Sequence, residues 1–550
     1  MAVLEVPEEL NLAEVHEAIA SAVPDRECIV WRDRRLTWAD VTDRSRRLAG
    51  VLRAAGLGLH RDRAELEPWE SGQDHVALYL HNGNEYLEGM LGAAKARCAS
   101  VNVNYRYVAD ELRHVLADSG ARAIVYHGTF ADTLAEVLPD LPELRLLLQV
   151  DDHSGAPRLP GARSYEEALA ETAPVAPAGL SPDDLYILYT GGTTGRPKGV
   201  LWRQADFIAA CLGVASTTEE LVVAAPASTL RVLAAPPFMH GAAHWNALSA
   251  WLAGGTVVIQ DDPVHLDPAD LLSVVAREGV SSLLVVGDAF ARPLVDELGR
   301  GHHDVSGLRF LLTGGAVLSA AVKHELLDLV PHLRIVDVLG SSETGRQGVH
   351  HSDRARGAAT GRFDRSPTAR VVAEDRSRVL PPGDPELGWL TQTGRVPLGY
   401  LGDPDKTQAT FPVIEGVRHA VAGDRARVLE DGSLELHGRD SVTINTGGEK
   451  VFAEEVEQAL KLHPAVFDAI VVGRPSERWG QEVVAVLQVR PAVSVPDDDE
   501  LAAVVRQHLA RYKVPKAYVW VERIERSPSG KPDYRWAAEQ AGPSDAPPTA

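Results

Sequence analysis

"YTGGTTGRPKG" runs from Tyr189 to Gly199 and directly follows "DDLYIL", an apolar stretch that reads as a short buried strand. Its eleven residues hold four glycines, three threonines and two cations. Ordering so loose a loop costs backbone entropy, which points to a use beyond connection. Glycine lets backbone N–H groups converge with no Cβ in the way. Threonine hydroxyls add donors and lysine adds a point charge, and together these form an anion-binding concavity. A Walker loop would need Gly-Lys-Ser/Thr opening a helix. Here Pro197 precedes Lys198 and Gly199 follows it, so no helix starts in that register.

Outward from the loop, strand and helix patterns alternate. "LTWADVTDRSRRLAGVLRAAG" predicts a helix: Thr37 and Asp40 suit a capping box, Val41, Leu48, Leu52 and Ala55 share a face, and Gly56 stops it. "HVALYL", "ARAIVY" and "LRLLLQV" before the loop, and "GTVVIQ", "SSLLVVG" and "LRFLLTGG" after it, predict buried strands. Apolar strands between helices predict α/β layers with parallel sheet. Near residue 438 the pattern becomes compact: "SVTINTGGEKVF", a helix over 454–462 with Phe452, Val456 and Leu460 on one face, then "FDAIVVG", "EVVAVLQV", a last helix and "AYVWVERI". The predicted fold class is α/β, with a large, layered N-terminal domain of several subdomains and a small α+β C-terminal domain. The tail "AGPSDAPPTA" has the composition of a disordered end.

The bulk numbers set bounds. A chain of 550 residues exceeds one core and implies about two to four domains. A net charge of −22 excludes a general nucleic-acid binder, which needs a basic face, but leaves room for an anionic small ligand in a local cationic pocket. Cys28, Cys98 and Cys211 lie far apart without metal-ligand spacing, which fits a reducing cytosol. The acidic N-terminus lacks the basic and apolar regions of a signal peptide. "GAAHWNALSAWLAGGTVVI" contains Gly-Gly and polar residues, so it predicts a core helix, a turn and a strand rather than a membrane span. His240 and His244 have the i,i+4 spacing of a zinc pair, but no third ligand accompanies them, and a helix-start histidine beside a packed one is the simpler reading.

"YTGGTTGRPKG" resembles the phosphate loop of the adenylate-forming superfamily: acyl-CoA synthetases, firefly luciferase and nonribosomal-peptide adenylation domains. Gly191 stands where that family usually has serine. The resemblance implies that Thr190, Gly191, Gly192, Thr193, Thr194, Gly195 and Lys198 clasp the β- and γ-phosphates of ATP. "LLTGGAVLS" is similar to the segment beside adenine, with Gly314, Gly315 and Ala316 at its turn. "LGSSETG" is similar to the family's Tyr-Gly-x-Thr-Glu segment, which also borders AMP. Leu339 replaces the stacking aromatic, Gly340 and Ser341 follow, and Ser342 replaces the threonine. Glu343 falls where the family holds Mg²⁺, a hard cation that suits a carboxylate. "HAVAGDRARVLEDGSLELHGRD" resembles the ribose segment and implies Asp424 and Arg439. Asp440 and Ser441 fall at the hinge, where the family usually has an Asp or Lys pivot. "SPSGKPDYR" resembles the motif of the catalytic lysine, Lys531. "PPFMHGAAHW" aligns with the acyl-pocket segment and makes His240 the gate or carboxylate neighbour. More narrowly, "VNVNYRYVADELRHVL" and "INTGGEKVFAEEVE" resemble a group of actinobacterial acyl-CoA synthetases, including ones acting on sterol side chains.

The resemblance implies a two-step ligase using ATP, Mg²⁺ and CoA. A small-molecule carboxylic acid is adenylated with loss of pyrophosphate, and CoA then displaces AMP. It places a nucleotide and acyl domain at residues 1–438, a hinge at 439–442, a lid at 443–540 and a tail at 541–550. In the family the lid turns between half-reactions, withdrawing Lys531 and bringing Gly447 and Gly448 to the pantetheine tunnel. "FMHGAAH" lacks the Asp that anchors an amino acid, and Phe238 and Trp245 suggest an apolar acyl group, fatty or steroid. The alternatives are an acyl-AMP ligase loading a carrier protein, whose usual insertion is not seen after Glu343, and a non-catalytic nucleotide-binding relative, which loss of Lys531 or Glu343 would have favoured. The cysteines and the lack of an apolar span imply a cytoplasmic enzyme with no integral membrane segment, and the resemblance further implies a homodimer.

Overall fold

The computed structural model describes residues 8–190, 196–301, 303–446, 449–476, 479–528 and 530–542. Gly191, Gly192, Thr193, Thr194, Gly195, Gly447, Gly448 and residues 543–550 of the tail lie outside the described residues.

Local sequence signals set the elements. The helix Trp38–Ala54 begins on a reciprocal Thr37–Asp40 cap and buries Val41, Leu48 and Leu52. Gly56 follows in the left-handed region at φ +76°, where a Cβ is disfavoured. The run from Gly241 resolves into a helix, Gly241–Leu252, and a strand, Thr256–Ile259. Among the described residues no helix is long and apolar enough to cross a membrane.

Four sheets build the larger unit, the smallest being the hairpin of Val413–Ile414 and Val417–Arg418. One has five strands, all parallel, in the order Ala99–Asn102, His75–Tyr79, Ala121–His127, Leu146–Val150 and Arg163–Ser164. The second has 13 strands. Its parallel part runs through Glu27–Trp31, Thr256–Ile259, Arg231–Ala234, Ser282–Val285, Phe310–Gly314 and Arg334–Ser341. Beyond Arg334–Ser341 every pairing is antiparallel, so parallel sheet describes only part of this layer. For the first of these pairs the cause is connection length. Gly345–Ser352 follows Ser341 after a tight turn, which can return a strand only antiparallel, whereas a parallel neighbour needs a crossover.

The third sheet carries the glycine loop. Leu185–Thr190 and Lys198–Arg203 pair antiparallel, with Thr190 opposite Lys198 and Tyr189 opposite Gly199. A strand, not a helix, therefore leaves the loop, as Pro197 and Gly199 required. Gly199 has no alternative, because a Cβ there would lie 2.7 Å from the Tyr189 ring.

The smaller unit has a five-stranded sheet backed by the helices Ala453–Lys461, Asp498–His508 and Tyr534–Ala541. Its apolar clusters draw on residues 442–541 and are separate from those built from residues 10–436. Each unit thus has its own core, and polar and glycine contacts join them.

Candidate active site

The parallel strands Phe310–Gly314 and Arg334–Ser341 lie side by side and end together, which in open α/β sheets is where ligands bind. Both ends are held tight by glycine. A Cβ on Gly314 would sit 2.9 Å from the Val338 carbonyl oxygen, and one on Gly340 only 2.1 Å from that of Gly345. Gly315 turns away at φ +83°. Against it lies the Lys531 side chain, whose Cε is 3.5 Å from where a Gly315 Cβ would be.

Lys531 arrives from the smaller unit. Gly530 at φ +77° lets the chain pass so close to the larger unit that a Cβ there would meet Phe290 Cε2 at 2.8 Å. Arg526 shapes the approach, holding Asp468 through two 2.7 Å bonds and donating to the Gly530 carbonyl at 3.1 Å. Protein surrounds Lys531 densely, yet its side chain stays in contact with solvent. Desolvation lowers its pKa, Arg439 adds to that, and Glu343 and Asp424 oppose it. Four predicted site residues from three segments thus share one electrostatic neighbourhood.

Glu343 sits in the turn after Ser341, and its N–H donates to Ser341 Oγ at 3.3 Å. Tyr400 donates to Glu343 Oε1 at 2.9 Å and so fixes the carboxylate. Trp202, on the strand leaving the glycine loop, donates to the Ser342 carbonyl at 2.9 Å and ties this turn to the hairpin. A carboxylate beside serine hydroxyls and backbone oxygens is a donor set that fits Mg²⁺, which takes one or two carboxylates together with substrate phosphates. Asp424 and Arg439 are direct cross-strand partners, and Arg439 Nε donates to Asp424 Oδ1 at 3.2 Å. Asp424 holds the guanidinium's pKa above its usual value.

His240 caps the start of Gly241–Leu252, and its Nε2 is shut from solvent with no hydrogen-bond partner. Burial, with Lys531 and His244 adding to it, pushes its pKa down to about 3, so the ring is neutral. His244 is different. Its Nδ1 donates to the Phe238 carbonyl at 2.6 Å, and its Nε2 accepts from the Tyr186 hydroxyl. A ring with both nitrogens engaged is a packing element.

Other expected residues are engaged within the protein. Thr190 and Lys198 close the hairpin, but Lys198 is ion-paired with Asp403, the N-cap of the helix Pro404–Thr410. Leu339 packs into an apolar cluster with Val371, Leu390 and Ala426. Asp440 lies in the short turn Asp440–Val442, where Thr443 donates to the Arg439 carbonyl at 3.1 Å.

Two residues were not anticipated. Tyr400 carries a signal, because it lies in "VPLGYLGDPDKTQATF", which resembles a family segment. Glu454 carries none beyond an acidic first helical turn. Its Oε2 is buried without a partner, 2.5 Å from where a Cβ on Gly438 would stand. Desolvation, then Glu457, raise its pKa to about 8.

A two-unit α/β architecture that brings a lysine of the small unit to a glycine turn, an Asp–Arg pair and a held carboxylate defines a nucleotide-using, adenylate-forming enzyme. Residues 16–401 match the AMP-binding enzyme family and residues 455–531 its C-terminal domain. The chain belongs to the AMP-binding enzyme family, and it is a ligase of the acyl-CoA synthetase class. It is 52% identical over 539 residues to the medium-chain acyl-CoA ligase Mig of Mycobacterium avium, covering 96% of this chain and 97% of the relative. It is 40% identical over 550 residues to a medium/long-chain-fatty-acid and 3-oxocholest-4-en-26-oate CoA ligase of Mycobacterium tuberculosis, covering 98% and 97%. The crystal structure of the anthranilate CoA ligase AuaEII with anthranoyl-AMP shares the fold, with a TM-score of 0.82, 20% identity and coverage of 98% and 99%.

Proposed function

We propose that the enzyme adenylates an apolar carboxylic acid, a medium- or long-chain fatty acid or a steroid side-chain acid, and passes the acyl group to CoA. A carboxylate oxygen bonds to the α-phosphorus of ATP and pyrophosphate leaves. The CoA thiol then loses its proton, its sulfur bonds to the acyl carbon, and AMP leaves. The carrying observation is Lys531 set against the Gly314–Gly315 turn in one neighbourhood with Glu343, Asp424 and Arg439.

Each residue has a part. Lys531 offsets the charge that builds as an anion attacks a polyanion, and such preorganised charge is a large catalytic term. Glu343 would hold Mg²⁺, which when bound would supply further neutralisation of the phosphates. Asp424 accepts from the ribose hydroxyls, and Arg439 holds it in place. Thr190, Lys198 and the glycines between them receive the β- and γ-phosphates, with Lys198 shared with Asp403. Gly314, Gly315 and Ala316, with Gly340, Ser341 and Ser342, border the adenine, and Leu339 offers aliphatic contact in place of stacking. His240, neutral and unpartnered, faces the acyl carboxylate. The proposed units are residues 1–438, the hinge 439–442 with its pivot at Asp440 and Ser441, and the lid 443–540, which carries Gly447 and Gly448 to the CoA tunnel. A cytoplasmic location and a homodimer belong to the same reading, and size-exclusion chromatography with light scattering tests the latter.

The deciding experiment is exchange of labelled pyrophosphate into ATP, followed by CoA consumption, over fatty, aromatic and steroid acids. Exchange that depends on acid, with thioester formed from fatty or steroid acids, is expected. No exchange with any acid overturns the reading. Exchange without CoA consumption assigns the product to a carrier protein instead.

A further inference from the structure

The segment Pro236–His240 is held in unusual detail for a stretch that is neither helix nor strand. Asn82 takes the Phe238 N–H on its Oδ1 at 2.6 Å and donates to the Pro236 carbonyl at 3.3 Å. His244 binds the Phe238 carbonyl. The Met239 carbonyl, one residue before His240, accepts from Asn102 Nδ2 at 2.8 Å. This frame presents the one ring of the segment whose buried Nε2 has no partner, His240. An unpaired buried nitrogen is costly and persists where a ligand completes it or the surroundings over-determine it.

Asn102 does more than hold Met239. Its Nδ2 also donates to the Tyr189 carbonyl at 2.8 Å, and its Oδ1 accepts the Tyr189 N–H at 2.7 Å. Tyr189 is the residue before Thr190, where the glycine loop begins. Both amide donors and the carbonyl oxygen of Asn102 are therefore spent on two backbone segments 50 residues apart in sequence. One leads to the phosphate loop and the other to the acyl gate. Asn102 ends the strand Ala99–Asn102, inside a sheet that makes no direct contact with substrate in the proposed reading. A half-buried polar side chain could stabilise either segment by bonding it alone; bonding both fixes the distance between them.

We propose that Asn102 is a positioning residue for adenylation, setting the register between the phosphate loop and the His240 segment. The inference rests on the proposed function, because only in-line attack of a carboxylate on a phosphorus makes that register matter. A misplacement of about 1 Å costs such a reaction on the order of 100-fold. The thioester half-reaction joins a thiol to an acyl group already attached to AMP and has no such requirement.

The test measures both half-reactions of Asn102→Asp and Asn102→Ala at saturating substrates. Rates are normalised to active sites titrated with a non-hydrolysable acyl-adenylate analogue. Asp keeps the acceptor for the Tyr189 N–H and loses the two donors. The expected result for N102D is a fall in the kcat of pyrophosphate exchange by about 10- to 100-fold, with thioester formation from supplied acyl-adenylate within about threefold of wild type. N102A, which leaves three backbone groups unpaired, should fall further in exchange, and Asn102→Gln should not rescue it, because its longer side chain cannot span both segments. Equal losses in the two half-reactions, or no loss in exchange, would overturn the proposal and leave Asn102 a structural residue. If N102A fails to fold, N102D alone decides. Wild-type enzyme with no exchange on any acid would instead overturn the proposed function.

Discussion

In the proposed mechanism Lys531 and Glu343 act through charge, and their surroundings suggest how. Lys531 has Arg439 as a like charge and Glu343 and Asp424 as opposite ones, and burial already disfavours its charged form. A cation held this way gains when a polyanion arrives, so its contribution grows along the adenylation coordinate. Lys531→Ala should slow pyrophosphate exchange by about 100- to 1,000-fold, the usual loss for one preorganised donor. Thioester formation from supplied acyl-adenylate should change little, and equal losses in both would reject the assignment. Glu343 is held by Tyr400, whose hydroxyl donates to its Oε1. Glu343→Gln keeps that bond through the amide oxygen but removes the charge that Mg²⁺ needs. Titration of exchange against Mg²⁺ should show a higher half-saturation concentration, and an unchanged curve would remove Glu343 from the metal site.

At the scale of elements, the joint between units centres on the helix Ala453–Lys461. Glu454 in its first turn packs on Gly438 and beside Arg439, at the end of the last strand before the proposed hinge. Turning the smaller unit about residues 440–441 must break that contact. The groups facing Glu454 are Glu457 on its own helix, Asp424 and Arg439 on the neighbouring strands, and Tyr534 on the helix Tyr534–Ala541. In the docked arrangement its pKa is about 8, against an ordinary value of 4.5 once exposed. The raised value belongs to the docked state, so docking takes up a proton between those limits. The docked state is favoured most below pH 4.5 and loses that advantage as pH rises toward 8, by about tenfold in the docking equilibrium per pH unit. Energy transfer between labels on the two units, followed from pH 6 to 9, should show docking weaken with rising pH in wild type. In Glu454→Gln, a neutral isostere, the profile should be flat over the same range. A pH response that survives the substitution would clear Glu454 of the coupling.

Across the whole molecule, what sequence could foretell divides along a physical line. Motif glycines and charges were legible because each has one local reason: Gly340 lacks room for a Cβ, and Pro197 and Gly199 forbid a helix at Lys198. The Trp38–Ala54 helix was legible from its cap and stripe. The antiparallel part of the 13-stranded sheet was not, because apolar runs do not encode which neighbour a strand takes. Nor were the Lys198–Asp403 pair or the Asn102 bridge, which join residues far apart in sequence. The docking of the two units is partly legible, through a glycine. Gly530 precedes Lys531 in the motif, and flexibility alone would explain it. The structure gives a steric reason as well, since Phe290 Cε2 and the Val286 carbonyl leave no space for a side chain and φ is +77°. Gly530→Ala therefore carries two penalties, a backbone strain of roughly 1–3 kcal/mol and a clash with a ring buried in the larger unit. Both fall only on the arrangement that delivers Lys531. Exchange should drop about 10- to 100-fold, while thioester formation from supplied acyl-adenylate stays near wild type. Phe290→Leu in the G530A background removes the offending ring edge and should recover part of the exchange, leaving the backbone strain in place. Recovery in the double variant, with little effect of F290L alone, would identify the Gly530–Phe290 contact as what seats the lysine. No recovery would assign the whole loss to backbone strain and leave Phe290 an ordinary core residue.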